Sequence, residues 1–257
     1  MHTIQFLGSG SGLCDPAFNY HSNILIGNNT GNPFLLYDCG SHFQMSLAEA
    51  GHSIFDIGGI FISHLHADHV GGLEYFAFKR CFVPNKRPDQ VPIIIDNVEL
   101  LDELWNKTLS GGMESLQGSR NTLSSYFRIK DVPPNGEFCW FDTVYQPIQT
   151  VHVVDDRRIK LSFGIMINFK RKVFITGDTQ FSPNQIMTFY EMADCIFQDC
   201  ELADYKGSVH AQYNQLKTLP EHIKNKMWLY HYSGALPDYE KDGFRGFVAK
   251  GQYFEFE

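Results

Sequence analysis

The stretch that most constrains this chain is Ile60-Phe61-Ile62-Ser63-His64-Leu65-His66-Ala67-Asp68-His69-Val70-Gly71-Gly72. The apolar run Gly59-Ile60-Phe61-Ile62 predicts a short buried strand. It breaks into a segment carrying three imidazoles and a carboxylate within six residues. Neutral imidazole and carboxylate are the ligand types that Zn²⁺ and similar ions take. His64 and His66 are two positions apart, so an extended backbone points them to one side. Asp68 and His69 follow directly, and Gly71-Gly72 permits a tight turn into the next element. One stretch can therefore serve two adjacent cations. The alternative is a histidine-rich surface loop, and it is weakened by suitable partners further along the chain.

Those partners come in a definite order. His152 follows the strand-like Gln149-Thr150-Val151, Asp178 sits in Val173-Phe174-Ile175-Thr176-Gly177-Asp178-Thr179, and His231 ends Met227-Trp228-Leu229-Tyr230-His231. With His64-x-His66-x-Asp68-His69, the set resembles the metallo-β-lactamase superfamily, in which a lone His, an Asp and a final His follow the signature at strand ends. The resemblance spans almost the whole chain. It implies an α/β fold, the αββα sandwich of two mixed β-sheets flanked by helices, as a single domain over residues 1–257. It also implies that His64, His66 and His152 hold one metal ion, that Asp68, His69 and His231 hold a second, and that Asp178 bridges the two. The ions are expected to be Zn²⁺ from the imidazole-rich set, with Mn²⁺ as the other option. Asp38, in Asp38-Cys39-Gly40, matches a family position that orients the metal loop without touching metal. Asp68 is expected also to orient the hydroxide that bridges the ions and attacks phosphorus. Independently of family, two cations can clamp the attacking and leaving oxygens of such a displacement. Lowering the pKa of water from about 15.7 to about 7 stabilises hydroxide by roughly 12 kcal/mol.

His210, in Gly207-Ser208-Val209-His210-Ala211, is expected at the start of a helix running to Leu219. The ribonuclease Z branch of the superfamily has a Gly-His-Ser/Thr motif here whose His assists catalysis, although Ser208 and Val209 intervene in this chain. Its role would be to protonate the leaving oxygen or to stabilise charge on the phosphate. A helix-start histidine with no chemistry is the competing reading. His2, His42, His52 and His222 lack any such context, and His21 lies where that branch carries substrate-proximal residues.

The rest of the chain fills in around these groups. Strands are expected over 3–7, 23–26, 33–38, 92–96, 161–169, 172–176 and 194–199, with helices over 41–50 (Ser41 as N-cap, Gly51 as stop), 73–80, 98–105, 123–127 and 186–192. Gly111-Gly112-Met113-Glu114 should interrupt the helix before it. Residues 81–150 fit the family pattern least and are expected to supply a substrate-side cover and a dimer surface. Gly8-Ser9-Gly10-Ser11-Gly12 follows the first strand without the Lys-Ser/Thr of a phosphate loop. The resemblance has it framing the substrate, and a plain turn is an equally economical reading.

Composition excludes several classes. At 43% hydrophobic and 19% charged residues, the chain can bury a sizeable core. A net charge of −8 disfavours broad polyanion binding, hence a large RNA, but not a small anion beside bound cations. No apolar run suits a membrane span. The first residues lack a basic and a long apolar region, so a cytoplasmic location is expected (host cytosol for a phage-encoded protein), with Cys14, Cys39, Cys81, Cys139, Cys195 and Cys200 reduced and unpaired for metal.

The 83-position interval from His69 to His152 and the N-terminal glycine-serine loop are most similar to the ribonuclease Z and phosphodiesterase branch. The long arm with which bacterial ribonuclease Z grips transfer RNA lies between the equivalents of His152 and Asp178. Here only 25 residues intervene. The chain therefore resembles small armless phosphodiesterases that open cyclic nucleotides, phage anti-Pycsar proteins among them, which destroy pyrimidine cyclic nucleotide signals. The resemblance implies a homodimeric phosphoric diester hydrolase acting on a 3′,5′-cyclic nucleotide. The alternatives are a transfer-RNA 3′-processing endonuclease, a thioesterase or lactonase with the same site, and a metal-binding protein without catalysis.

Overall fold

The computed structural model describes residues 1–28, 30–83, 90–133, 136–203 and 209–257. Gly207-Ser208, which carry half of the expected motif around His210, lie outside them. The described strands, counted along the chain, form two seven-stranded sheets and one hairpin. The first sheet contains β1 (His2–Phe6), β2 (Ile24–Asn28), β3 (Phe34–Tyr37), β4 (Ile57–Phe61), β5 (Pro92–Ile95), β8 (Arg128–Asp131) and β16 (Tyr253–Phe256), in the order β16-β1-β2-β3-β4-β5-β8. The hairpin pairs β6 (Ser115–Leu116) with β7 (Ser119–Arg120). The second sheet contains β9 (Phe138–Trp140), β10 (Thr143–Val154), β11 (Ile159–Asn168), β12 (Lys172–Ile175), β13 (Cys195–Asp199), β14 (Met227–Tyr230) and β15 (Gly246–Phe247), in reverse chain order. Both sheets mix parallel and antiparallel pairs.

Period-two alternation sorts side chains between layers. Ile24, Ile26, Leu35, Tyr37, Phe61 and Ile94 of the first sheet meet Tyr145, Phe163, Ile165, Val173, Ile175 and Phe197 of the second in one buried cluster. Their neighbours Leu25, Leu36, Ile60 and Ile93 face the other way, onto α1 (Phe43–Glu49), α3 (Leu73–Phe82) and α6 (Leu123–Tyr126). Met166, Phe174, Ile196 and Leu229 of the second sheet likewise meet α7 (Pro183–Met192), α8 (Tyr213–Leu216) and α9 (Glu221–Lys224). Helix, sheet, sheet, helix is the layering the sequence predicts.

Parallel pairing decides where chemistry collects. β3, β4 and β5 run parallel in one sheet and β12, β13 and β14 in the other. Their carboxyl ends release Asp38, the 62–69 loop, Asp178, Asp199 and His231 at one edge of the sandwich, as open α/β sheets do with ligands.

Four expectations need correction. Helix α1 begins at Phe43, with His42 rather than Ser41 at its cap; the Ser41 hydroxyl instead donates to the Ala67 carbonyl (2.8 Å), tying the helix entry to the histidine loop. Gly111-Gly112 does not break the helix. α4 (Val98–Glu103) passes through a π-turn at Leu104–Leu109 into α5 (Ser110–Met113), held by buried Leu104, Leu109 and Met113. A Cβ at Gly112 would meet Glu74 Oε2 at 2.1 Å, so the Glu74 carboxylate lies directly over this turn. The helix expected from Val209 starts only at Tyr213: the chain bends at Val209 and His210, and Gln212 pairs with Glu201 as a bridge. His152 does not close a strand; it lies inside β10 at a register shift between Val151 and Val153. Such a bulge re-aims a side chain toward a site.

Candidate metal centre

The loop after β4 delivers His64 and His66 in coil and Asp68 and His69 on the single turn α2 (Ala67–Val70). Gly40 lets the chain pass close, since a Cβ there would sit 1.8 Å from the Asp68 carbonyl. Two sets of possible ligand atoms result: His64, His66, His152 and Asp178, and Asp68, His69, Asp178 and His231. Every atom within a set lies within 4.8 Å of the others, and Asp178 belongs to both. These are the seven residues named from the sequence, in the same division.

The spacings discriminate between hydrogen bonding and coordination. In the first set His66 Nδ1 lies 3.0 Å from His64 Nε2 and 3.1 Å from His152 Nε2. Asp178 Oδ2 is 3.7 Å from both of those Nε2 atoms. In the second, Asp68 Oδ2 is 3.2 Å from His69 Nε2 and from His231 Nε2, while Asp178 lies 3.3 and 3.4 Å from them. Metal–nitrogen bonds of 2.0–2.1 Å in a tetrahedron imply ligand-to-ligand edges of about 3.3 Å. Both Asp178 oxygens and His69 Nε2 are buried with no hydrogen-bond partner. Buried polar atoms are rarely left so. The donor set therefore fits two divalent cations better than it fits itself.

The far sides of the rings are anchored. Asp38, fully buried, accepts from His69 Nδ1 (2.7 Å), the Ser63 amide (2.8 Å) and the Ser63 hydroxyl (2.7 Å), and that hydroxyl contacts His64 Nδ1 (3.0 Å). His152 Nδ1 donates to the Val209 carbonyl (2.7 Å). Burial, then His69, pushes His64 well below an ordinary imidazole, into the neutral form that ligates. Asp38 and His231 adopt left-handed backbone (φ 63° and 60°), a strain that clusters at functional sites. Asp38→Asn keeps that backbone tolerance but weakens the hold on His69. Metal affinity is expected to fall about 10–100-fold, read by competition with a chelator of known affinity, and an unchanged affinity would refute the anchoring role.

His210 comes within 5.0 Å of both His152 and His231, ring centre to ring centre, so the structure brings it to the centre despite the shifted helix. Its partner was not anticipated. Asp199, at the end of β13, accepts from His210 Nδ1 (2.9 Å) and the Thr179 amide (2.9 Å) through Oδ2, and its Oδ1 lies 3.3 Å from His231 Nδ1. Burial opposes charge on His210, but Asp199, then Asp178, raise its pKa above the ordinary value. A carboxylate at the end of a buried parallel strand, between strands that release Asp178 and His231, was the available signal.

A cavity of about 230 Å³ opens beside the first set, between His64, His66 and His152 and Asn97, the cap of α4, with Leu100 and Glu103 of that helix. Part of the 81–150 region therefore does flank the centre. An ion pair of Glu103 with Arg158 (2.6 Å) spans its rim.

A family model described as Anti-Pycsar protein Apyc1 matches residues 2–254. The Anti-Pycsar protein Apyc1 of Paenibacillus harenae is 33% identical over 241 residues, covering 93% of either chain. The chain belongs to the anti-Pycsar protein Apyc1 family. A phage relative, from Bacillus phage vB_BsuM-Goe3, is 27% identical over 263 residues, with 97% of this chain and 96% of that one covered. Among solved structures, the metallo-β-lactamase fold protein YhfI from Bacillus subtilis superposes with a TM-score of 0.74 at 17% identity, covering 99% of this chain and 100% of that one. The Apyc1-family chain thus has the metallo-β-lactamase fold. Among its described residues no helix is long and apolar enough to cross a membrane.

Proposed function

We propose that this Apyc1-family chain is a metal-dependent phosphodiesterase that opens a small 3′,5′-cyclic nucleotide, pyrimidine nucleotides included. The observation that carries the reading is the meeting of two ligand sets at the buried, unpartnered carboxylate of Asp178. His64, His66 and His152 would hold one divalent cation, Asp68, His69 and His231 the other, and Asp178 both. Such a pair supplies Lewis acidity at phosphorus and brings the pKa of water down to about 7. Around it the chain's own groups divide the work. Asp68, its side chain 13% exposed at the mouth, orients the attacking water by accepting a hydrogen bond from it. His210 donates a proton to the 3′ oxygen as the bond from phosphorus to that oxygen breaks, leaving a 5′-nucleotide. Asp199 keeps the His210 Nδ1–H occupied, so that Nε2 is the atom that faces substrate.

The transfer-RNA alternative is disfavoured by the segment between His152 and Asp178, which the end of β10, β11 and β12 nearly fill, leaving no arm. The proposal takes Zn²⁺ as the resident metal and a homodimer as the assembly, which metal analysis and light scattering test. The deciding experiment offers cyclic CMP, UMP, AMP and GMP, a precursor transfer RNA, bis(p-nitrophenyl) phosphate and a thioester to the metal-loaded protein. Cyclic nucleotide opening that chelator stops and His66→Ala lacks is the expected result. Cleavage of the RNA alone, or of the thioester alone, overturns the substrate assignment.

A further inference from the structure

Outside the paired sets, three more potential ligands converge: Cys14, His21 and His42, with ligand atoms all within 4.8 Å of one another. Sequence spacing gave no hint of this, because they come from three places. Cys14 lies on the loop after β1, His21 bridges Gly10 just before β2, and His42 caps α1. We propose that Cys14, His21 and His42 form a third cation site, for a thiophilic divalent ion such as Zn²⁺ or Cd²⁺, next to the dinuclear centre.

Three observations support it. First, His21 is only 6% exposed and its Nδ1 has no hydrogen-bond partner. An unmet buried donor or acceptor is costly, and a ligand would relieve it. Second, Cys14 is 8% exposed, and its thiol makes only a long 3.7 Å approach to the Asn19 carbonyl among the described residues. The thiol is thus held inside without a strong partner. Third, the surroundings favour positive charge. This loop lies against Asp68, where a Cβ on Gly12 would be 2.9 Å from Asp68 Oδ2. The rings of His21 and His42 stack with centroids 3.7 Å apart and 23° between planes. Their lone pairs therefore run side by side rather than converging, and the His21 amide donates to His42 Nδ1 at 3.4 Å, so sharing one ion would require the more exposed His42 ring to turn. Binding converts the thiol to thiolate with release of one proton. One sulfur and two nitrogens leave a fourth tetrahedral position open, the pattern of an exchangeable site rather than a closed structural one. Occupancy would pin the Gly8–Gly12 loop to the start of α1, on the Asp68 side of the cleft.

The test uses Cd²⁺ with the purified chain. Three equivalents are expected to bind, one of them producing a thiolate-to-Cd²⁺ charge-transfer band in the ultraviolet. Cys14→Ser is expected to lose the band and the third equivalent while keeping two ions and its hydrolytic activity. His42→Gln, which leaves the thiol in place, is expected to lose the third equivalent as well. Two equivalents with no thiolate band in the unsubstituted chain overturn the proposal. So does a band that survives Cys14→Ser, since another cysteine then carries it.

Discussion

Asp178→Asn is expected to remove nearly all turnover and to leave the chain unable to hold two metal ions together. Asp178 is the one residue common to both ligand sets, and its two buried oxygens approach four imidazoles at 3.3–3.7 Å. Asn preserves size and burial but replaces one oxygen with a hydrogen-bond donor and removes the charge that offsets two dications. Polarisation by a bound metal is worth several kcal/mol in the transition state. At about 1.4 kcal/mol per tenfold, the rate should fall on the order of 10³-fold or more. Inductively coupled plasma analysis after dialysis reads the metal, and steady-state hydrolysis reads the rate. A variant that retains two ions and works within tenfold of the parent would sink the bridging role. The Asn variant is also informative without metal. Asp178 raises the pKa of His69 and His231 against their burial, so removing it makes those rings easier to keep neutral in chelator.

The convergence of the seven candidate ligands was legible in the sequence because chemistry and topology coincide there. His64-x-His66-x-Asp68-His69 follows an apolar strand, and each remaining ligand sits on or after another. The sandwich is expected from the resemblance that this motif carries, and the period-two pattern of the strands accounts for its interleaved buried faces. What escaped depended on contacts rather than pattern. His152 reads as the residue after a strand, and only pairing with β11 reveals it as a bulge. His210 reads as helical because Val209-Ala211-Gln212 carries no breaker, yet it lies in a bend just before Gln212 bridges to Glu201. Gly111-Gly112 reads as a stop, yet the surrounding Leu104, Leu109 and Met113 bury enough surface to carry the helix through. Asp199 ends an ordinary strand, and its meaning lies in two histidines 11 and 32 positions away in sequence.

Asp199 also gives the second large effect. If His210 protonates the leaving oxygen, its value depends on how badly that oxygen needs a proton. A ribose 3′ oxygen leaves as an alkoxide and needs one; p-nitrophenolate leaves readily without. His210→Ala is therefore expected to slow cyclic nucleotide opening by about 10²–10⁴-fold, the usual range for a general acid, and to change bis(p-nitrophenyl) phosphate hydrolysis little. Asp199→Asn should follow the same split more weakly. Its side-chain nitrogen can no longer accept the His210 proton in the observed 2.9 Å contact, so the ring loses its fixed tautomer. The variant should also bind metal less tightly, because His231 Nδ1 faces the same carboxylate at 3.3 Å. The comparison is made at saturating metal, so that weaker binding does not mimic lost proton transfer. Equal losses on both substrates would mean that His210 and Asp199 only shape the metal site. Losses confined to the alkoxide substrate would place them on the proton's path.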